Sequence, residues 1–387
     1  MMKTIRFFIL LLILSIPVLK SQTTNQFYQG IVDEVKYDTI YNRLQTFENF
    51  GNKGINSQEL KNTARWIINF YNQLGFTDIK VDTINYHGQE IYNIIVSKTG
   101  TEFPNKFFII DGHYDAMNCP GTDDNGSGTV IVMEVARLLK DISTKYSVKF
   151  IHFTGEEEGF IGSHYYVNNT VIPKNMDIML LLNVDMVGGI AGMPNNIIKC
   201  ERDEGGQPQN NKLSYAYTDT LANLTRLYSN LQTEISKAYG SDYMPFEQNG
   251  NIITGYFEYN ENPFNHTLGD ILIHMDPLSV KELTKAAIAA TLYFSQAFNS
   301  SGINNGTNLK SRFEIFPNPV DDLLYIKTEE NIYFTMTNLL GEKMIDSVFV
   351  KKGQQTIDIK ALQSGSYLYT IATESKEILG TGKIIIK

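Results

Sequence analysis

Residues 107–159 read FFIIDGHYDAMNCPGTDDNGSGTVIVMEVARLLKDISTKYSVKFIHFTGEEEG. The stretch opens on an apolar run, Phe107–Asp111, and returns to one at Val148–Phe153, with Gly128–Lys140 between them repeating apolar residues at helical spacing. Runs that stay apolar, rather than alternating, belong to strands buried on both faces. Outward from this core, Ile91–Ser97 and Ile178–Leu182 (IMLLL) read as further strands. Asn56 with Glu59 three residues on predicts a capped helix with apolar residues at Ala64, Ile67, Ile68, Tyr71 and Leu74, stopped by Gly75. Two long amphipathic helices are expected around Leu221–Tyr239 and Leu278–Phe298. Strands alternating with helices predict an α/β domain built on a central mixed, mainly parallel sheet flanked by helices.

Four polar clusters each follow a strand or lead into a helix: Asp111–Asp115 (DGHYD), Gly121–Gly128 (GTDDNGSG), Thr154–Gly159 (TGEEEG) and Asn183–Asp185 (NVD). Ligand sites in open α/β sheets lie beyond the carboxyl ends of the strands. So many carboxylates brought together either retain protons or are neutralised by a cation, and oxygen donors mixed with imidazole suit zinc. One ion needs three or four protein ligands, and this set offers more; a pair of ions sharing a carboxylate uses them all. Such a pair suits amide hydrolysis, with a neighbouring carboxylate to move the proton. Three successive glutamates, Glu156–Glu158, cannot all face one cavity: one is left for metal, one for the base and one for solvent. His152, inside an apolar strand, reads as a core residue; His87, His164 and His274 read as structural. Asn125-Gly-Ser127 matches a glycosylation sequon, but inside this loop the match is accidental.

The chain has 387 residues and a formal charge of −9, which argues against a nucleic-acid partner. Two cysteines exclude a disulfide framework or a Cys-based zinc finger; in an exported chain Cys119 and Cys200 are candidates to pair with each other. Lys3, Arg6 and the apolar Phe7–Leu19 predict a secretory signal peptide over 1–21, too short for a membrane span. No later segment is long and apolar enough to be an integral membrane span. Asn299–Lys310 has the Asn/Ser/Gly composition of a linker between a domain over 22–298 and a tail over 311–387. The tail's short alternating runs, Leu323–Ile326, Thr356–Ile359 and Tyr367–Ile371, predict a small antiparallel β-sandwich.

The ordered elements HYD, GTDDNGSG, GEEEG with Gly162-Ser163, NVDM, SDYMPF and NHTLGD, between Asn56 and Phe298, resemble the co-catalytic di-zinc aminopeptidases, whose wider family includes carboxypeptidases and glutaminyl cyclases. The resemblance implies two zinc ions per chain: His113 and Asp185 on one, Glu157 and His266 on the other, and Asp124 on both. It implies Glu156 as the general base, a cis Asp124–Asn125 peptide, and Asp115 and Asp270 orienting ligands from behind. Tyr243 stands where relatives commonly carry His, and is expected to line the substrate pocket. The implied activity is removal of N-terminal residues from peptides. A cyclase-like acyltransferase, a carboxypeptidase and a non-catalytic binding module are the alternatives. The tail, from Phe316-Pro-Asn-Pro319 through Asn338–Gly341 and Leu362–Tyr367 to the terminal Lys387, resembles the sorting domain of type IX secretion cargo. That implies passage through the periplasm, recognition by the type IX machinery, and release or attachment at the outer surface.

Overall fold

The computed structural model describes residues 24–205, 208–238, 240–299, 313–338, 341–374 and 378–387; the expected signal peptide and all but the first residue of the linker lie outside them. The described residues fall into two compact units that divide between Ala297 and Phe298.

The first unit is built on eight strands: β1 (Ile79–Tyr86), β2 (Gln89–Lys98), β3 (Phe103–His113), β4 (Tyr146–Phe153), β5 (Asp177–Val184), β6 (Ile197–Arg202), β7 (Gln232–Lys237) and β8 (Ile253–Glu258). Their order in the sheet is β1-β2-β4-β3-β5-β8-β6-β7. The four central strands β4, β3, β5 and β8 are mutually parallel, so their carboxyl ends open on one edge. Antiparallel pairings at β1–β2, β2–β4 and β8–β6 make the sheet mixed, and β6–β7 is again parallel.

The apolar run Leu180–Leu182 in β5 is buried on both faces, as its composition requires. One face packs on α1 (Gln26–Val32), α2 (Tyr37–Glu48), α3 (Gln58–Leu74), α4 (Gly126–Leu139), α6 (Pro208–Tyr228) and α8 (Pro277–Phe294); the other packs on α5 (Ile161–Tyr166) and α7 (Met244–Gln248). Helix α3 starts one residue later than the sequence suggests: Ser57, not Asn56, caps it by accepting from the Leu60 N–H at 3.0 Å. Gly75 ends it at φ 81°, the left-handed conformation that glycine adopts without a Cβ clash.

The helix expected over Leu221–Tyr239 is corrected: α6 starts at Pro208 and stops at Tyr228, and residues 232–237 form edge strand β7. Pairing with β6 along its whole length decides this, and leaves β7 largely exposed.

In the second unit, Phe313–Phe316, Leu323–Thr328 and Gly353–Asp358 form a three-stranded antiparallel sheet. Ile332–Thr337, Lys343–Val350, Gly365–Ala372 and Ile378–Ile386 form a four-stranded one. Leu324, Ile326, Phe334, Met336, Ile371 and Ile384 make its core.

Candidate metal centre

Each candidate ligand sits just past the carboxyl end of a central strand or on the loop leading into α4. His113 is the last residue of β3, Asp185 follows β5, Glu156 and Glu157 follow β4, and His266 lies on the loop after β8. Asp124 precedes α4 and is held against β5 by its neighbour: the Asn125 amide donates to the Val184 carbonyl at 2.8 Å and accepts from the Gly128 N–H at 2.8 Å. A Cβ on Gly128 would come within 2.2 Å of that same carbonyl, so the helix start can press on the sheet only with glycine there. The Asp124–Asn125 peptide is cis.

Two groups of ligand atoms converge, His113–Asp124–Asp185 and Asp124–Glu157–His266, each within 4.8 Å. His113 Nε2 lies 3.3 Å from Asp124 Oδ1 and 3.2 Å from Asp185 Oδ1. His266 Nε2 lies 3.1 Å from Asp124 Oδ2 and 3.1 Å from Glu157 Oε2. Asp124 therefore turns one oxygen to each group. The donor set is imidazole and carboxylate throughout, and Glu157 Oε1 is buried with no hydrogen-bond donor, so these residues fit divalent cations.

Protonation shows the same crowding. Burial opposes ionisation of Asp124, but the two imidazoles hold its carboxyl at about 2. Burial and then Asp124 push Glu157 up to about 8, and the Asp124 contact lifts His266 to about 9. Burial first, then Asp185 and Asp242, raise Glu156 well above the usual carboxylate range, against the pull of His113. Carboxylates that keep protons in this way trade them for a metal ion.

Glu156 Oε2 stands 4.0 Å from His113 Nε2, and Glu158 faces outward to Tyr86. Asp115 meets His113 mainly through its backbone: His113 Nδ1 is 3.2 Å from the Asp115 carbonyl oxygen and 3.7 Å from Oδ1. Its carboxylate instead accepts the N–H groups of Glu156 and Glu157 at 3.3 and 3.4 Å. Asp270 accepts the N–H groups of Asp123 and Asp124 at 2.8 and 3.0 Å, steadying Asp124 rather than His266.

Tyr243 is buried and donates to Glu201 at 2.9 Å, away from the cleft, contrary to the expected pocket role. Cys119 and Cys200 do not pair; both are buried and free. Cys200 is enclosed in β6 beside Tyr256, while Cys119 lies in the loop ahead of Asp124. Asn125 is fully buried, which closes it to glycosylation, and His152 is a core residue whose Nε2 meets the Tyr71 hydroxyl at 2.8 Å.

Sequence reasoning missed Ser241, whose hydroxyl donates to Asp185 at 2.5 Å and accepts from Asn183 at 2.9 Å. It also missed Asn262, whose amide donates to Asp123 at 2.9 Å. Over the ligands lies a cleft of about 390 Å³ walled by Met117, Phe160, Met186 and Phe257, with Glu261 and Asn265 at its side. A larger cavity of about 750 Å³ lies at the opposite edge, among Lys106, Lys149 and Asp177, and is lined by no histidine.

Residues 93–291, just over half of the chain, match the model of peptidase family M28. The chain belongs to this family. Residues 314–387 match the secretion system C-terminal sorting domain. A probable leucine aminopeptidase 2 of Aspergillus fumigatus is 32% identical over 174 residues, covering 43% of this chain and 33% of that protein, so the matched stretch spans only a third of the relative's length. Among solved structures, the LapA aminopeptidase of Legionella pneumophila superposes with a TM-score of 0.61 at 20% identity, over 71% of this chain and 78% of that one. A glutaminyl cyclase of Bacteroides thetaiotaomicron bound to N-acetylhistamine gives 0.56 at 16% identity, over 66% and 97%. At these identities both show a shared fold.

Proposed function

We propose that this chain is an exported zinc aminopeptidase that hydrolyses the first bond of peptides. The observation that carries the reading is Asp124, with Oδ1 toward His113 and Asp185 and Oδ2 toward Glu157 and His266. His113 and Asp185 would hold an inner ion, Glu157 and His266 an outer one, and Asp124 both, giving two zinc ions per chain. When bound, such a pair lowers the pKa of a water and polarises the scissile carbonyl. Glu156, close by His113 and kept basic by burial, takes the proton from the attacking water and delivers it to the departing amine. Asp115 fixes the backbone that carries Glu156 and Glu157, and Asp270 fixes the backbone of Asp124.

The cleft supports the amino terminus as the end that is read. Among the described residues its lining carries no lysine or arginine to pair with a terminal carboxylate, and its one acid outside the proposed zinc ligands and base, Glu261, is already paired with Lys199 at 2.7 Å. The lack of a cation in the lining speaks against a carboxypeptidase. Metal content separates the remaining readings: two zinc ions per chain for the peptidase, one for a cyclase, none for a binding module. In this reading residues 22–298 are the peptidase, 1–21 direct export to the periplasm, and 311–387 are read by the type IX machinery for delivery to the surface.

The test is a panel of aminoacyl chromogenic amides beside N-acetylated counterparts. Release from the free amines alone is expected; equal release from the blocked compounds would overturn the aminopeptidase reading.

A further inference from the structure

The outer half of the metal centre is held from a segment ahead of the M28 match. Glu48, the last residue of α2, uses one carboxylate oxygen, Oε2, for two partners: the Thr122 hydroxyl donates at 3.1 Å, and the Leu272 N–H donates to the same atom. Thr122 lies two residues before Asp124, and Leu272 six residues after His266. A single oxygen thus ties the loop of the shared acid to the loop of the outer histidine.

Five residues on, Lys53 is fully buried. Its Nζ donates to the carbonyls of Gly51 at 3.0 Å and Pro120 at 2.5 Å, and lies 4.0 Å over the Phe47 ring. Its backbone joins in: the Lys53 N–H donates to the Cys119 carbonyl at 3.0 Å, and its own carbonyl accepts from the Ala116 N–H at 3.1 Å. Residues 51–53 therefore brace residues 116–120, which lead directly into Asp124. Among the described residues no carboxylate is in ion-pair contact with Lys53, and the nearby acids that act on it are Asp270 and Glu48. Burial pulls Lys53 down to about 7 and these two carboxylates pull the other way, so its hold on residues 116–120 rests on the hydrogen bonds to Pro120, Cys119 and Ala116.

The outer group needs such a brace. His266 is 45% exposed at its side chain, and its backbone sits at φ 56°, a conformation a non-glycine residue keeps only when its surroundings hold it. The inner group is buried in all three members. We propose that Glu48 and Lys53 are positioning residues that set the affinity of the Asp124–Glu157–His266 group for its ion, Glu48 by tying the Asp124 loop to the loop after His266 and Lys53 by bracing residues 116–120 ahead of Asp124. This rests on the metal centre of the proposed function, and its test is zinc uptake rather than turnover.

Full-length protein stripped of metal is titrated with zinc against a chromogenic chelator, with thermal melts run alongside. Two affinity classes are expected. In Glu48→Gln and Lys53→Met the weaker class loses roughly 10–100-fold in affinity, the range seen when outer partners of metal ligands are removed, and the tighter class holds. Lys53→Arg restores most of the loss. Thr122→Val, which removes one hydrogen bond and no charge, shows a smaller loss at the same class and carries the test if Lys53→Met does not fold. Unchanged affinities, or both classes falling together with the melting temperature, would overturn the proposal, as would a chain that takes up no zinc. A chain that binds two zinc ions and cleaves no peptide would sink the peptidase reading and leave this one standing.

Discussion

The inner and outer halves of the centre share Asp124 and differ in nearly everything that holds them. The inner ligands His113 and Asp185 sit at the very ends of adjacent buried strands, and their neighbours Asn183, Ser241 and Thr129 lock them by hydrogen bonds inside the fold. The outer candidate ligands Glu157 and His266 ride on loops and depend on carboxylates from elsewhere: Asp115 accepts from the Glu157 N–H, and Glu48 accepts from Leu272 on the loop that follows His266. Strand ends give position at no added cost in ordering, whereas loops need latches. In the proposed two-ion centre the outer half is therefore the place expected to gain, lose or exchange an ion.

The largest effect tests what the two halves do jointly. Glu156→Gln keeps the shape of the side chain and both ligand groups, so zinc content should hold while kcat falls by about 10²–10⁴-fold; metal analysis beside steady-state kinetics checks it, and unaltered kcat would remove Glu156 from the proton path. Next comes the contrast itself. His113→Ala should cost the inner ion and the activity with it, while His266→Ala should retain one tightly held ion per chain. Metal analysis after gel filtration decides, and identical losses in the two variants would break the distinction.

A third expectation concerns pH. Glu157 at about 8 and His266 at about 9 are both raised in the folded, metal-free chain, so both carry protons at pH 7 and must release them to bind metal. Zinc affinity of the outer half should rise as pH climbs from 6 to 9, with proton release visible by calorimetry in buffers of different ionisation enthalpy. The smallest effect belongs to the tail: a chain ending before Ser311 should keep its kcat/KM on peptide amides while losing delivery to the cell surface. Lost activity in that chain would make the tail part of the catalytic unit.

The same contrast explains what was legible in the sequence. His113 and Asp185 each stand three residues past an apolar run, FFII to Ile110 and IMLLL to Leu182, so local pattern alone exposes their clusters as polar groups at a sheet edge. The GEEEG segment follows the same rule after β4, and the outward turn of Glu158 fits the expectation that one glutamate faces away. His266 has no such signal. Only the order of motifs points to it, because its loop follows β8, a strand the hydrophobic pattern does not single out.

What stayed hidden is held by contacts between distant residues: Glu48 with Leu272 across 224 positions, Asp270 with Asp123 across 147, Ser241 with Asp185 across 56. The resemblance implies that Asp270 orients a ligand from behind without saying which; the fold gives it to the Asp123 and Asp124 backbone. The Leu221–Tyr239 misreading has a related cause, since β7 owes its conformation to pairing with β6 and not to its own amphipathic pattern.

The two walled-off thiols, Cys119 and Cys200, carry a consequence for how the fold is held. No covalent bond joins these two thiols, so the hold between β6 and the loop ahead of Asp124 is left to packing and hydrogen bonds, which a reductant does not cut. If the proposed zinc pair forms, it would add to the hold of the packed sheet, so metal supply rather than redox conditions is what should set how long the fold lasts outside the cell.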